Sequence, residues 1–204
     1  MKKIHMKRRD FLKSSAAAAL LLGAAGRGRA EETAFSTELK KALQYAMLPK
    51  ELSDADKFKL ALDCGFEGIE VDRIESVDEA KKLGELAREI GTPIHSLVFG
   101  GWDMPFSDPN PKVIQRALDA MSTQLRVANA LQADTILLVP VVVNKKATTE
   151  QAWERSRKHI PELIPLAEEM NIVIALEEVW NGFLLDSASE FARYVDEFNS
   201  PWIQ

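Results

Sequence analysis

A single cysteine in 204 residues, Cys64, excludes any internal disulfide, so the fold has to rest on a buried apolar core. Long hydrophobic runs are missing too. The alanine-rich stretch from Ala16 to Leu22 falls far short of the ~20 apolar residues a helix needs to span a bilayer, which rules it out as a stable membrane anchor. Basic charge is scarce outside the N-terminus. Residues 1–30 hold eight of the 26 Lys and Arg and one of the 31 Asp and Glu, leaving 18 basic against 30 acidic residues, a formal charge of −12. That balance excludes nucleic acid as a partner. No low-complexity linker interrupts residues 31–204, which read as one domain.

The first thirty residues read as an address and not as structure. Lys7-Arg8-Arg9-Asp10-Phe11-Leu12-Lys13 resembles a twin-arginine signal, followed by the apolar run and a small-residue cleavage site ending at Ala30. The resemblance implies the twin-arginine export machinery as a partner and a periplasmic or extracellular location. No cysteine lies near the cleavage site to carry a lipid. That route carries folded proteins, often with a cofactor loaded, which suits a metal enzyme.

From Lys41 onward short apolar runs alternate with longer amphipathic ones, the pattern of βα units and a parallel sheet. Strands are expected at 43–48, 68–71, 93–98, 135–139 and 172–176, and helices at 53–63, 77–90, 111–131, 149–170 and 187–198. Ser76 with Glu79, Thr148 with Gln151 and Ser187 with Glu190 have the spacing of capping boxes. Asn110-Pro111 is a fourth helix start, with proline at the first helical position. Phe58, Leu60 and Cys64 are read as one buried stripe. The fold class is therefore α/β, a partial (β/α)8 barrel of five βα units. Ser200-Pro201-Trp202-Ile203-Gln204 reads as the start of a sixth strand, and the whole as an incomplete barrel, since the closed form takes about 250 residues.

Chemistry in such barrels sits at the C-terminal ends of the strands. There the strand from Ile172 to Leu176 delivers Glu177 and Glu178, which alternation sends to opposite sides. Glu70 and Asp72 share one face of the second strand, where they could bind sugar hydroxyls or simply face solvent. His95 in the third strand is a candidate ligand or a hydrogen-bonded core histidine. The loop Phe99-Gly100-Gly101-Trp102-Asp103-Met104-Pro105-Phe106 offers aromatic walls suited to a sugar, though Trp102 and Phe106 could equally plug the barrel mouth. Trp153 and Trp180 divide between packing and substrate contact, and His159 reads as an edge residue.

Met47-Leu48-Pro49-Lys50-Glu51-Leu52-Ser53, Cys64-Gly65-Phe66-Glu67-Gly68-Ile69-Glu70, Ala175-Leu176-Glu177, Phe183 and Ser200-Pro201-Trp202 together resemble the sugar-phosphate isomerase/epimerase family, close to the pentulose-5-phosphate 3-epimerases. The resemblance implies a xylose-isomerase-like TIM barrel. It further implies a divalent metal (Mn²⁺, Mg²⁺, Co²⁺ or Zn²⁺) held in the full-length protein by two glutamates, an aspartate and a histidine. Glu177 matches the first glutamate, as ligand and acid/base. A pattern of Glu followed three residues later by Asn would instead select Glu178 with Asn181. The aspartate is expected just after the Ser-Pro-Trp segment, and the remaining ligands later still, so residues 31–204 alone are expected to be nearly inactive. The histidine that the pentulose-phosphate epimerases carry in the loop after the third strand is missing from Gly100-Gly101-Trp102. A phosphorylated and an unphosphorylated sugar both stay open as substrates.

The reading is thus a metal-dependent sugar or sugar-phosphate isomerase/epimerase, with Glu177 as catalytic and metal-binding residue and Glu70, His95, Trp102 and Asn181 as substrate contacts. Two alternatives use the same barrel: a periplasmic sugar-binding protein built on Glu70, Trp102 and Asn181, and a metal-dependent hydrolase or lyase. Self-association into a homo-oligomer is left open.

Overall fold

The computed structural model describes residues 40–143, 145–177 and 187–204. The export segment at 1–30 and the residues Glu178, Trp180, Asn181 and Phe183 lie outside the described residues. Five parallel strands follow one another across a single sheet in chain order: β1 Ala42–Gln44, β2 Gly68–Asp72, β3 Ile94–Gly100, β4 Thr135–Leu138 and β5 Val173–Leu176. Between and after them come α1 Asp54–Asp63, α2 Val77–Ile90, α3 Pro111–Leu131, α4 Thr149–His159, α5 Ile164–Met170 and α6 Ala188–Asp196. A strand order that never reverses, joined by right-handed crossovers, puts the connecting helices on one face and curls the sheet toward a barrel.

Side-chain alternation then separates two environments. Ile69, Val71, Leu97, Phe99, Ile136, Leu138, Ile174 and Leu176 are buried under the helices. The other face carries Glu70, Ser96, Val98, Thr135, Leu137, Val173 and Ala175, placed side by side by the register. Past β5, Ile203 bridges Ile174 in parallel, and the Gln204 N–H donates to the Ile174 carbonyl at 3.0 Å. The expected sixth strand therefore begins beside β5.

Local signals set the helix starts. Ser53, Ser76, Asn110, Thr148 and Ser187 each accept a hydrogen bond from a backbone N–H of the first turn, satisfying donors that the helix leaves unpaired. At Thr148 the capping box is complete. Gly91 closes α2 in the left-handed region at φ 103°, where a Cβ would be strained.

Three expectations are corrected. The first strand stops at Gln44 and continues as a 3₁₀ turn, Tyr45–Met47. The cause is tertiary: the Tyr45 hydroxyl donates to Asp54, its ring packs on Phe58, and Lys57 lies 4.5 Å from the ring centroid. Burial and the Asp54 carboxylate push the Tyr45 phenol above its ordinary range. The helix expected over 149–170 breaks into α4, a 3₁₀ segment Ile160–Leu163 and α5, because Pro161 and Pro165 supply no N–H for continuous α-bonding. Cys64 is exposed: it is the C-cap of α1, and the buried stripe there is Phe58 and Ala61, with Leu60 partly buried.

Candidate functional site

The helix-free face of the sheet borders an open cavity of about 510 Å³, to which all five strands or their ends contribute, among them Gln44, Met47, Glu70, Val98, Leu137 and Glu177. Glu177 reaches it by alternation. Ile174 and Leu176 point under the helices, so Val173, Ala175 and then Glu177 take the opposite side. The Glu177 N–H donates to the Leu138 carbonyl at 2.9 Å, extending the β4–β5 ladder by one step and holding the side chain at the strand tip.

Glu70 faces the same cavity from β2. Its carboxylate accepts a hydrogen bond from the Ser96 hydroxyl at 2.9 Å, across the pair that the register places side by side. Beside it, Asp72 accepts from the Gln44 amide at 3.3 Å. Two carboxylates facing one cavity raise the cost of ionising both. Partial burial first, and the negative charge of Glu70 second, hold the Glu177 carboxyl above the ordinary range. Glu177 is thereby biased toward holding a proton, as a group that must both give and take one requires.

The loop after β3 divides its aromatic residues between two tasks. Phe106 is fully buried and Met104 nearly so, while Trp102 remains 52% exposed. Phe106 is therefore core, and Trp102 stands on the strand-end face. Gly100 makes this arrangement feasible: at φ +72°, a Cβ there would meet the Trp102 indole at 3.0 Å. The surrounding loops are tied down. The Ser107 hydroxyl donates to the Val142 carbonyl at 3.0 Å, and Arg155 donates to the Ser107 carbonyl at 3.0 Å. Buried Gln124 both donates to the Ile74 carbonyl and accepts from the Ile74 N–H, fastening the loop after β2 to α3. Arg73 in that loop pairs with Asp103 at 3.4 Å and stacks over Phe99.

His95 is not brought to this site. It sits exposed near the start of β3, five residues before the strand's end and so roughly 16 Å from the tip at ~3.3 Å per residue. It is the extra residue in a bulge, since Ile69 pairs with Ile94 and Glu70 with Ser96. Its ring covers Gly68, where a Cβ would clash at 2.9 Å. Conversely, Gln44, Met47 and Ser96 belong to the site and were not among the candidates. The first lies in the strand expected at 43–48, and the alternation of Ala42 and Gln44 is the signal that could have found it.

Trp153 packs on the outer face: its indole N–H donates to Glu197, its ring meets Tyr194 edge-on, and Arg193 lies over it. A second cavity of about 520 Å³ there, between α4 and α6, includes Arg157 and Glu197, which pair at 2.9 Å. It is lined by residues of the two helices, away from the strand tips. The His159 ring N–H donates to the Glu162 carboxylate at 2.8 Å.

Glu177 suits a hard divalent cation, because a carboxylate in a partly buried acidic cavity is a natural oxygen donor. Among the described residues, however, no three His, Cys, Asp or Glu side chains converge closely enough to enclose an ion. Glu177 can supply one ligand of such a set.

The profile of the xylose isomerase-like TIM barrel family matches residues 58–204. The chain is 25% identical over 166 residues to a putative L-ribulose-5-phosphate 3-epimerase, SgbU, of Haemophilus influenzae, an alignment covering 76% of this chain and 58% of that protein. The chain thus spans little more than half the length of that relative. Among solved structures, D-psicose 3-epimerase in the presence of D-fructose superposes with a TM-score of 0.71 at 15% identity, over 81% of this chain and 62% of the other. IOLI protein with a binding zinc atom superposes with a TM-score of 0.65 at 18% identity, over 81% and 61%. At these identities the structural likeness establishes the fold.

Proposed function

The chain belongs to the xylose isomerase-like TIM barrel family, and from that premise we propose that it contributes the first five βα units of a sugar isomerase/epimerase that moves a proton next to a carbonyl. One observation carries the reading: Glu177 stands at the tip of β5 in a cavity shared with Glu70, with its pKa raised by burial and by that neighbour. In this role Glu177 exchanges the proton on one face of the substrate carbon. Glu70, fixed by Ser96, accepts hydrogen bonds from sugar hydroxyls, and Trp102 supplies an apolar wall. Proton exchange on the other face needs a second acid/base.

A zinc atom is present in the similar IOLI protein, and Glu177 is the residue here that would hold a divalent cation. When bound, such an ion polarises the carbonyl and hydroxyl oxygens and acidifies the adjacent C–H. The twin-arginine segment supports a further proposal, that the folded protein works in the periplasm or outside the cell. Cell fractionation tests that point, and full retention in the cytoplasm refutes it.

The decisive experiment follows ketose C–H exchange in D₂O by NMR, using the full-length protein, which would carry the remaining metal ligands, with added Mn²⁺. Glu177→Gln is expected to slow exchange by about 10²–10⁴-fold, the usual contribution of a positioned acid/base. An unchanged exchange rate refutes the role of Glu177.

A further inference from the structure

Resting on that epimerase reading, we propose that Arg73 is a positioning residue, which acts through Asp103 to fix the Trp102 indole as a preset wall for the ketose. The place of the indole is the first observation. It packs against Gly100, where a Cβ would meet its Cδ1 at 3.0 Å and its Nε1 at 3.1 Å. Gly100 ends β3 and lies two positions, about 7 Å along a strand, beyond Val98, which lines the cavity. It pairs with Leu138, whose carbonyl accepts the Glu177 N–H. Gly100 and Glu177 therefore stand at nearly one level, two strands and so about 10 Å apart. Trp102 and Glu177 flank the same mouth.

The hold on the turn that carries Trp102 is the second observation. The Met104 N–H donates to the Gly101 carbonyl at 3.2 Å, which puts Trp102 and Asp103 at the corners of a tight turn. Buried Phe99, Met104 and Phe106 anchor the chain on both sides of it. Asp103 is then gripped twice: its carboxylate accepts from Arg73 at 3.4 Å, in the loop after β2, and its carbonyl accepts from Arg116 at 3.3 Å, in α3.

An isolated ion pair between exposed side chains holds little. This one is braced. The Arg73 guanidinium also lies 5.2 Å from the Phe99 ring centroid, and Gln124 binds both backbone groups of Ile74, the next residue. Arg73 itself lines no part of the cavity, so its reach to the site runs through the turn. An indole that is 52% exposed and yet carried on a turn fixed from two sides is ordered before a ligand arrives, and that spares the ordering cost on binding.

The test uses the full-length protein with added Mn²⁺, labelled with 5-fluorotryptophan, in which Trp102→Phe assigns the Trp102 ¹⁹F resonance. Titration with D-fructose and with L-ribulose gives the Kd of whichever ketose binds, and C–H exchange at saturating ketose gives kcat. Arg73→Gln is expected to shift and narrow the Trp102 resonance and to raise Kd about two- to tenfold, the ordering cost of one large side chain, while kcat stays within about twofold. In a Trp102→Leu background the same substitution is expected to leave Kd unchanged. A Trp102 resonance or a Kd that does not respond to Arg73→Gln overturns the proposal. So does an equal loss of affinity with and without Trp102, which would make the effect of Arg73 purely electrostatic, or failure of both ketoses to bind. Binding without exchange refutes the epimerase reading and leaves the role of Arg73 standing.

Discussion

Gly84 lies mid-way along α2, where alanine would ordinarily be the better residue. A Cβ built on it would stand 2.5 Å from the Leu131 carbonyl oxygen and 2.9 Å from that residue's carbonyl carbon and Cα. All three atoms are backbone, so no rotamer change relieves the overlap, and α2 and α3 must move apart. The helix-propensity gain of Gly→Ala is about 0.5–1 kcal/mol. Against it stands an overpacking cost of about 1–3 kcal/mol. Separation also stretches the 3.0 Å hydrogen bond from Arg88 to the same Leu131 carbonyl, a contact worth up to about 1.5 kcal/mol. The balance predicts that Gly84→Ala lowers stability by about 1–3 kcal/mol, or about 2–10 °C in Tm for a domain of this size. Urea melts followed by far-ultraviolet circular dichroism measure it. A midpoint equal to or above that of the wild type refutes the claim that this glycine exists for close helix contact.

Three further outcomes follow from the same structure. Gln124→Leu strands the N–H and carbonyl of Ile74 in a partly buried loop, at a cost of about 1–3 kcal/mol, measured by the same urea melts. Thr148→Ala removes the α4 capping box and lowers stability by about 1 kcal/mol, whereas an unchanged melt would mean that tertiary packing alone holds that helix start. The raised pKa of Glu177 means that the folded state binds its proton more tightly than the unfolded chain does. Its contribution is therefore favourable below the ordinary carboxyl value and is lost as pH rises through the raised one. With metal chelated, Glu177→Gln should be more stable than wild type at pH 7, and the difference should disappear near pH 4. A difference that is constant with pH, or of opposite sign, contradicts the burial and Glu70 repulsion assigned to this carboxyl.

Much of the fold was legible because its signals are local. Ser76 and Gly91 bracket α2, and Asn110-Pro111 opens α3, with boundaries where the caps predict them. A cap is a contact over three residues, so its chemistry is visible in a short window. Where the sequence misled, the deciding contact was distant or steric. β1 ends early because Tyr45 is anchored nine residues ahead on Asp54, and the 149–170 helix breaks because two prolines remove N–H donors that hydrophobic spacing does not register.

The site divides in the same way. That Glu177 faces the side opposite Ile174 and Leu176 follows from strand alternation, and the chain alone determines it. That Glu70, 107 positions earlier in the sequence, faces the same cavity and shifts its proton affinity was decided only by parallel register across three intervening strand pairs. The bulge that leaves His95 unpaired between Ile94 and Ser96 is likewise a property of pairing. Periodicity specifies which way a side chain points, and only tertiary structure specifies what it meets, because electrostatic coupling depends on distance in space and not along the chain.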